Sequence, residues 1–323
     1  MSQRAKCFAG VLLSLALVAP AARAAYPDRP IRLIVAYPAG ASTNDILGRA
    51  MADRLTKKLG QQVVVDNRPG AGGTIGTELA AEAEPDGYTL LLGANGPMSI
   101  SPHVLKLKYD PNKSFAPVTM FAVVPYVIVI NPTVKARTLK EFIALAKQKP
   151  GDLKFSSAGI ASTPHLCGEL LKLVGGVNLL HVPYKGGAPA TAALLANETQ
   201  MYCAGAVGQA GGIRAGRTIG LAVTWKKRLE GLPELPSAPE AGVPDLEVAS
   251  WNGILAPKGT PKAVVDKLNR TIIDIVNSPD MHGFLVKQGV EVMTLGPKEF
   301  SGFIASELDK WGKVIRKAGV KIQ

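Results

Sequence analysis

Residues Ile31–Asp45 read IRLIVAYPAGASTND. Ile31 to Val35 is a short run of β-branched and apolar residues, the pattern of a buried strand. It gives way to Pro38, Ala39 and Gly40, and then to Ser42, Thr43, Asn44 and Asp45, short polar side chains that cap the free N–H groups of a new helix. Ile46, Leu47, Ala50, Met51, Leu55 and Leu59 then recur at helical spacing and predict one buried face. The local plan is strand, tight loop, helix start. Such a loop aims unpaired N–H groups and the positive end of a helix dipole at whatever lies above it, which favours an anion. Lys154–Glu169, KFSSAGIASTPHLCGE, repeats the plan near the middle of the chain. The expectation is two anion-facing loops, one per lobe, closing on a carboxylated ligand.

Around these two stretches, strands and helices alternate, as in an α/β fold with a mostly parallel sheet and helices on its faces. Gln62–Asp66 and Tyr88–Leu92 read as strands, and Thr74–Glu84 and Thr138–Lys149 as helices. Phe115–Ile130 is apolar, with Pro117 and Pro125 inside it, and predicts a crossing between lobes; Ile219–Thr224 predicts the return. The proline-rich stretch Lys226–Gly253 reads as a loop wrapping the first lobe. Helices over Pro261–Val276, Pro279–Gln288 and Pro297–Lys317 complete the chain. The expected organisation is a signal peptide over 1–24, a first lobe from 25–122 and 225–323, and a second lobe over 123–224.

The N-terminus carries an export signal: Arg4 and Lys6, an apolar core over Phe8–Val18, and an A-x-A site at Ala22–Ala24. The core is too short to span a bilayer, which takes about 20 residues. The mature chain is expected outside the cytoplasm, in a bacterium the periplasm. Removing Arg4, Lys6 and Arg23 with no acids lowers the formal charge from +12 to +9. No five-residue basic run occurs and no aromatic residues interleave with basic ones, so a nucleic-acid partner is not expected; the surplus reads as a solvated surface. Export permits a disulfide between Cys167 and Cys203, but their contexts, a helix and a strand, read as two buried thiols.

Enzymatic readings fail on spacing. A dinucleotide loop starting at Gly70 would need glycine where Ile75 stands. G-x-x-x-x-G-K-[ST] and G-x-S-x-G are absent. His165, Cys167, Glu169 and His181 cluster, yet without H-E-x-x-H or paired C-x-x-C they read as structural rather than as a metal site. Neither cofactor nor catalytic residue is expected. Binding remains: the loops offer Ser, Thr, Asn and Gly, which hydrogen-bond carboxylate oxygens through hydroxyl and backbone N–H groups. For Ser42 and Thr43 capping alone is the rival role, and for Asp45 it is the better one, since an acid would repel the anion. Ser156, Ser157, Ser162 and Thr163 divide between capping and ligand contact; Tyr184 and Lys185 divide between ligand contact and a solvated turn.

Several stretches resemble the extracytoplasmic solute receptors of the tripartite tricarboxylate transporter, or Bug, family. They include YPDRPIRLIVAYPAG (Tyr26–Gly40), the segment Leu59–Gly93, HVPYKGGAPATAALLANE (His181–Glu198), Ala222–Glu247, WNGILAPKGTP (Trp251–Pro261) and Leu295–Gly319, with the HL at His165-Leu166 between them. The resemblance implies a type 2 periplasmic-binding-protein fold: two α/β lobes joined by two crossing strands, with the ligand between them. It also implies a monomeric receptor that captures a small carboxylic acid and delivers it to membrane permease subunits; a sensory receptor of the same fold is the alternative. The residues matching the family's ligand loops are Ala39, Gly40, Ser42 and Thr43 in the first lobe, and Ser157, Ala158, Gly159, Ser162, Thr163 and His165 in the second, with Asn95 and Tyr184 added. The first loop is longer than the family's usual P-G-G-x-x-D, and Ala196-Asn197-Glu198 stands where G-G-Q is usual.

Overall fold

The computed structural model describes residues 26–40 and 43–320. The expected signal peptide and Ser42 therefore lie outside the described residues. In chain order the elements are β1 (Ile31–Val35), α1 (Thr43–Leu59), β2 (Val63–Asn67), α2 (Thr74–Ala81), β3 (Thr89–Ala94), β4 (Phe115–Ile130), α3 (Leu139–Gln148), β5 (Lys154–Ser157), α4 (Thr163–Gly175) and β6 (Leu180–Pro183). Next come α5 (Gly187–Leu195), β7 (Met201–Gly205), α6 (Ala206–Arg214), β8 (Ile219–Val223), β9 (Ala249–Pro257), α7 (Lys262–Val276), α8 (Pro279–Lys287), β10 (Glu291–Leu295) and α9 (Pro297–Ala318).

β4 is the spine. Its first half pairs with β9 on one edge and β10 on the other, both antiparallel. Beyond β9 the sheet continues through β3, β1 and β2, the last three parallel. The second half of β4 pairs antiparallel with β7 and β8, and β5 and β6 extend that sheet in parallel from β7. The expected crossing over Phe115–Ile130 is thus one continuous strand serving both sheets. The expected return over Ile219–Thr224 is corrected. β8 stays in the second sheet, and the return begins at Val248, whose N–H donates to Thr224 O while its own carbonyl accepts from Tyr126. The wrapping expectation for 226–248 is corrected as well. Leu229, Leu232 and Leu235 pack with Val127 and Val129 of β4, and Ala238, Val243, Leu246 and Val248 join the core around Phe142 and Phe155. These apolar side chains have a face of the second sheet to cover, and cover it.

In α1 the buried face runs through Leu47, Gly48, Met51, Ala52 and Leu55, and the three large side chains, each fully buried, contribute roughly 2 kcal/mol apiece. Ile46, expected on that face, is 39% exposed. The helix is rotated so that Gly48 meets β1, where an added Cβ would stand 2.8 Å from Val35 Cγ2. α3 opens with a reciprocal cap: the Glu141 N–H donates to Thr138 Oγ1 at 3.1 Å, and the Thr138 N–H donates back to Glu141. α9 touches both halves, with Phe300 and Ile304 in the core of the first sheet and Trp311, Val314 and Ile315 in that of the second.

Cys167 of α4 and Cys203 of β7 form a disulfide, their Cα atoms 6.1 Å apart. The expectation of two thiols is corrected. Both side chains are fully buried in one core, because α4 lies directly on β7. No helix among the described residues is long and apolar enough to cross a membrane.

Candidate ligand site

The β1–α1 loop is shaped by one buried acid. Asp45, 1% exposed, accepts from the Gly40 N–H at 2.7 Å, Asn67 Nδ2 at 2.7 Å and Arg49 Nε at 2.9 Å. Burial pushes its carboxyl upward, but these donors outweigh it and hold the group below the usual carboxylate range. Ala39 and Gly40 stand exposed on the turn, and Gly40 has φ +76°, a backbone that glycine adopts without Cβ strain. With the acid spent on the loop, Thr43 and Asn44 of the first helical turn face the space between the two sheets.

The β5–α4 loop is bound to itself. Ser157 Oγ lies 2.6 Å from His181 Nε2 and accepts from the Gly159 N–H at 3.1 Å. Ser162 caps α4, accepting from the His165 N–H at 3.4 Å and donating to Gly159 O at 2.7 Å. His165 accepts the Ala161 N–H on Nδ1 at 3.0 Å and stacks on His181 with ring centres 3.8 Å apart. Burial pushes His165 down to about 3, with His181 and Lys172 adding to it, and His181 to about 4, with Lys172 adding. Both rings are neutral at physiological pH. Thr163 is bonded to the Tyr126 hydroxyl. Tyr184 donates to Glu198 at 3.1 Å. Asn95, just after β3, is fully buried, and among the described residues neither amide atom has a partner.

A cavity of about 390 Å³ lies where these elements converge. The first sheet contributes Ser250 and Asn252 of β9 and Thr43 and Asn44 of α1, and Asn252 Nδ2 donates to Asn44 Oδ1 at 2.6 Å. Val124 and Tyr126 of β4 form its floor. The far wall is Gly187, Ala188 and Thr191 of α5, Tyr202 and Ala204 of β7, and Gly205, Gly208 and Gln209 at the start of α6. Among the described residues lining it there is no Asp, Glu, Lys, Arg or His. Both α5 and α6 begin at a glycine N-cap, Gly186 and Gly205, with no side-chain cap on their first N–H groups. Those donors are left for a ligand or water.

A larger cavity, about 520 Å³, lies on another face of α6, along Ala206, Ala210 and Arg214. Its charged groups are mostly matched internally: Lys227 pairs with Glu291 at 2.7 Å and Arg214 donates to Gly231 O at 2.7 Å. The smaller cavity, with open helix starts, is the better ligand site.

Of the residues singled out from the sequence, Thr43 lines this cavity and Thr163 reaches it through Tyr126; Ala39 and Gly40 stand on the adjoining turn. Ser157, Ala158, Gly159, Ser162 and His165 build the loop under α4, and Asn95 and Tyr184 are not among the residues that line the cavity. The far wall was not read from the sequence. Its signal is Gly205–Gly212, GAVGQAGG, a glycine-dense stretch directly after a strand.

A model of the family described as "Tripartite tricarboxylate transporter family receptor" matches residues 47–320. The chain belongs to the tripartite tricarboxylate transporter receptor family. The receptor is similar to the periplasmic binding protein BugD, at 37% identity and TM-score 0.77 over 92% of this chain and all of that one. It is also similar to an R. palustris protein solved with adipate, at 33% identity and TM-score 0.81 over 92% of this chain and 99% of that one. A third relative is MatC from Rhodopseudomonas palustris, solved with malate, at 28% identity and TM-score 0.76 over 90% and 100%. The fold is the type 2 periplasmic-binding-protein fold, and the family is one of solute-binding receptors, not of enzymes.

Proposed function

We propose that this receptor works in the periplasm as a monomer, captures a small carboxylate between its halves and presents it to the permease subunits of a tripartite transporter. The observation that carries this is the cavity of about 390 Å³ with two uncapped helix starts and no charged lining side chain among the described residues. Free N–H groups at a helix start stabilise an anion without a counter-ion. Relatives of the same fold have been solved with adipate and with malate. An acidic ligand needs donors, and the cavity supplies them from backbone, from Thr43 and from Asn44.

The moving lobes meet where the chain crosses, at Val124–Tyr126 and Val248–Ser250, so residues 226–248 travel with the second lobe. Ala39, Gly40 and Thr43 from one side close toward the loop built by Ser157, Ala158, Gly159, Ser162, Thr163 and His165, and Asn95 and Tyr184 belong to the same proposed ligand set. Closure follows from population shift: the ligand must bind the closed form better than the open one. The test is a thermal-shift screen against carboxylic acids, after unfolding and refolding to strip any carried ligand. A ligand at 100 times its dissociation constant adds about 2.7 kcal/mol. Stabilisation by carboxylates is expected, and binding confined to neutral or cationic compounds would overturn the assignment.

A further inference from the structure

Two polar side chains on the far wall of the cavity make no hydrogen bond among the described residues. Gln209, at the start of α6, is 6% exposed, and Tyr202, on β7, is 3% exposed. Both line the cavity. Among the described residues neither the Gln209 amide nor the Tyr202 hydroxyl makes a hydrogen bond, and their polar atoms are open to the cavity rather than sealed in the core. The residual exposure of each is toward the cavity. Tyr202 stands over the start of α5, where a Cβ added to Gly187 would come within 3.3 Å of its hydroxyl. Burial, with Tyr126 nearby, keeps that hydroxyl protonated and therefore able to donate.

From this we infer that Gln209 and Tyr202 form a neutral subsite for a hydroxyl or carboxamide group on the ligand, so that the receptor selects substituted carboxylates over the plain acids. The inference rests on the carboxylate site proposed above and adds what the rest of the ligand carries. The amide has two donors on Nε2 and an acceptor on Oε1. A second carboxylate could satisfy Nε2 but has no proton to give Oε1. A hydroxyl or carboxamide both donates and accepts, and so answers both ends of Gln209 as well as the phenol. A site holding buried hydrogen-bonding groups rejects an analogue that lacks the matching group, because its own polar atoms are then left unpaired.

The experiment is isothermal titration of the refolded full-length mature chain with succinate against malate and succinamate, glutarate against 2-hydroxyglutarate, and benzoate against 4-hydroxybenzoate. The same titrations are made on Gln209→Met and Tyr202→Phe, with circular dichroism to verify folding. The wild type is expected to bind the substituted member of at least one set tenfold or more tightly. Gln209→Met should lose that preference and bind both members of the set alike; Tyr202→Phe should lose part of it. Binding without preference in any set, or a preference that survives in both variants, overturns the subsite and leaves the carboxylate reading standing. No binding of any of these acids overturns both.

Discussion

The disulfide offers the most direct quantitative test of the second half of the molecule. Replacing Cys167 and Cys203 together by alanine releases a loop closed over 36 residues of sequence. In the chain-entropy description a loop of that size stabilises by roughly 4 kcal/mol. Both residues are fully buried, so losing the sulfurs also leaves small voids, worth about 1 kcal/mol more. The double variant should therefore lose about 4–5 kcal/mol. Urea unfolding followed by circular dichroism reads this as a lower midpoint, with a slope equal to or steeper than wild type because the opened loop exposes more of the unfolded chain. If the two halves unfold in separate steps, only the step belonging to the half that contains α4 and β7 should move. Wild-type protein refolded in reductant should show nearly the same loss, without the part due to the voids. A double variant within about 1 kcal/mol of wild type, or a wild type indifferent to reductant, would show that the sulfurs are not joined.

Other outcomes follow from the cavity and the loops. Gly208→Leu should abolish ligand binding and leave the melting temperature unchanged or higher; nothing lies within 4 Å of an added Cβ, and the glycine is replaced by a better helix former, a gain of roughly 0.8 kcal/mol. Binding retained in that variant would remove this cavity as the site. Gly159→Val should weaken binding and also lower stability, since φ is +126° there and a side chain is strained in that region by about 1–3 kcal/mol; an unchanged melt would refute the strain. His165 and His181 titrate near 6.5 when unfolded and only near 3 and 4 when folded. Stability is therefore full above pH 6.5 and falls as pH drops toward 4, with a slope approaching about 1.4 kcal/mol per pH unit for each ring. His181→Asn should remove one ring's share of that slope, measured by urea melts across the range. Glu291→Gln breaks the pair with Lys227, which joins the 226–248 segment to β10; with Lys227 68% exposed, the effect on ligand affinity should stay within about fivefold.

Most of the scaffold was legible because its signals are local. β1 announces itself by four apolar residues in a run of five, α3 by apolar residues at helical spacing, and β4 by its long, largely apolar run. What was lost depended on partners distant in sequence. α6 carries Gly208, Gly211 and Gly212, each a poor helix former, and it stands because Arg214 is tied to Gly231 and Ala206 is buried. β10 is short and half-buried, and exists because the edge of β4 needs a neighbour. The disulfide required knowing that α4 lies on β7. On the site, the helix starts at Thr43 and Thr163 could be read from polar residues after a strand. The opposite wall could not: Gln209 and Tyr202 reach the cavity only because α5, α6 and β7 meet there, and no local pattern in the sequence marks that meeting.

The uncharged lining has a consequence for where such a receptor can work. Outside the cytoplasm a binding protein meets whatever acidity the surroundings impose. Among the described residues of this cavity the titratable groups are tyrosines, and burial raises Tyr126 and Tyr202 above the ordinary phenol value. Backbone N–H groups and amides do not titrate at all. Affinity should then follow the ionisation of the ligand alone, and capture should hold steady from mildly acidic to alkaline media. A lining of histidine or lysine could not give that constancy.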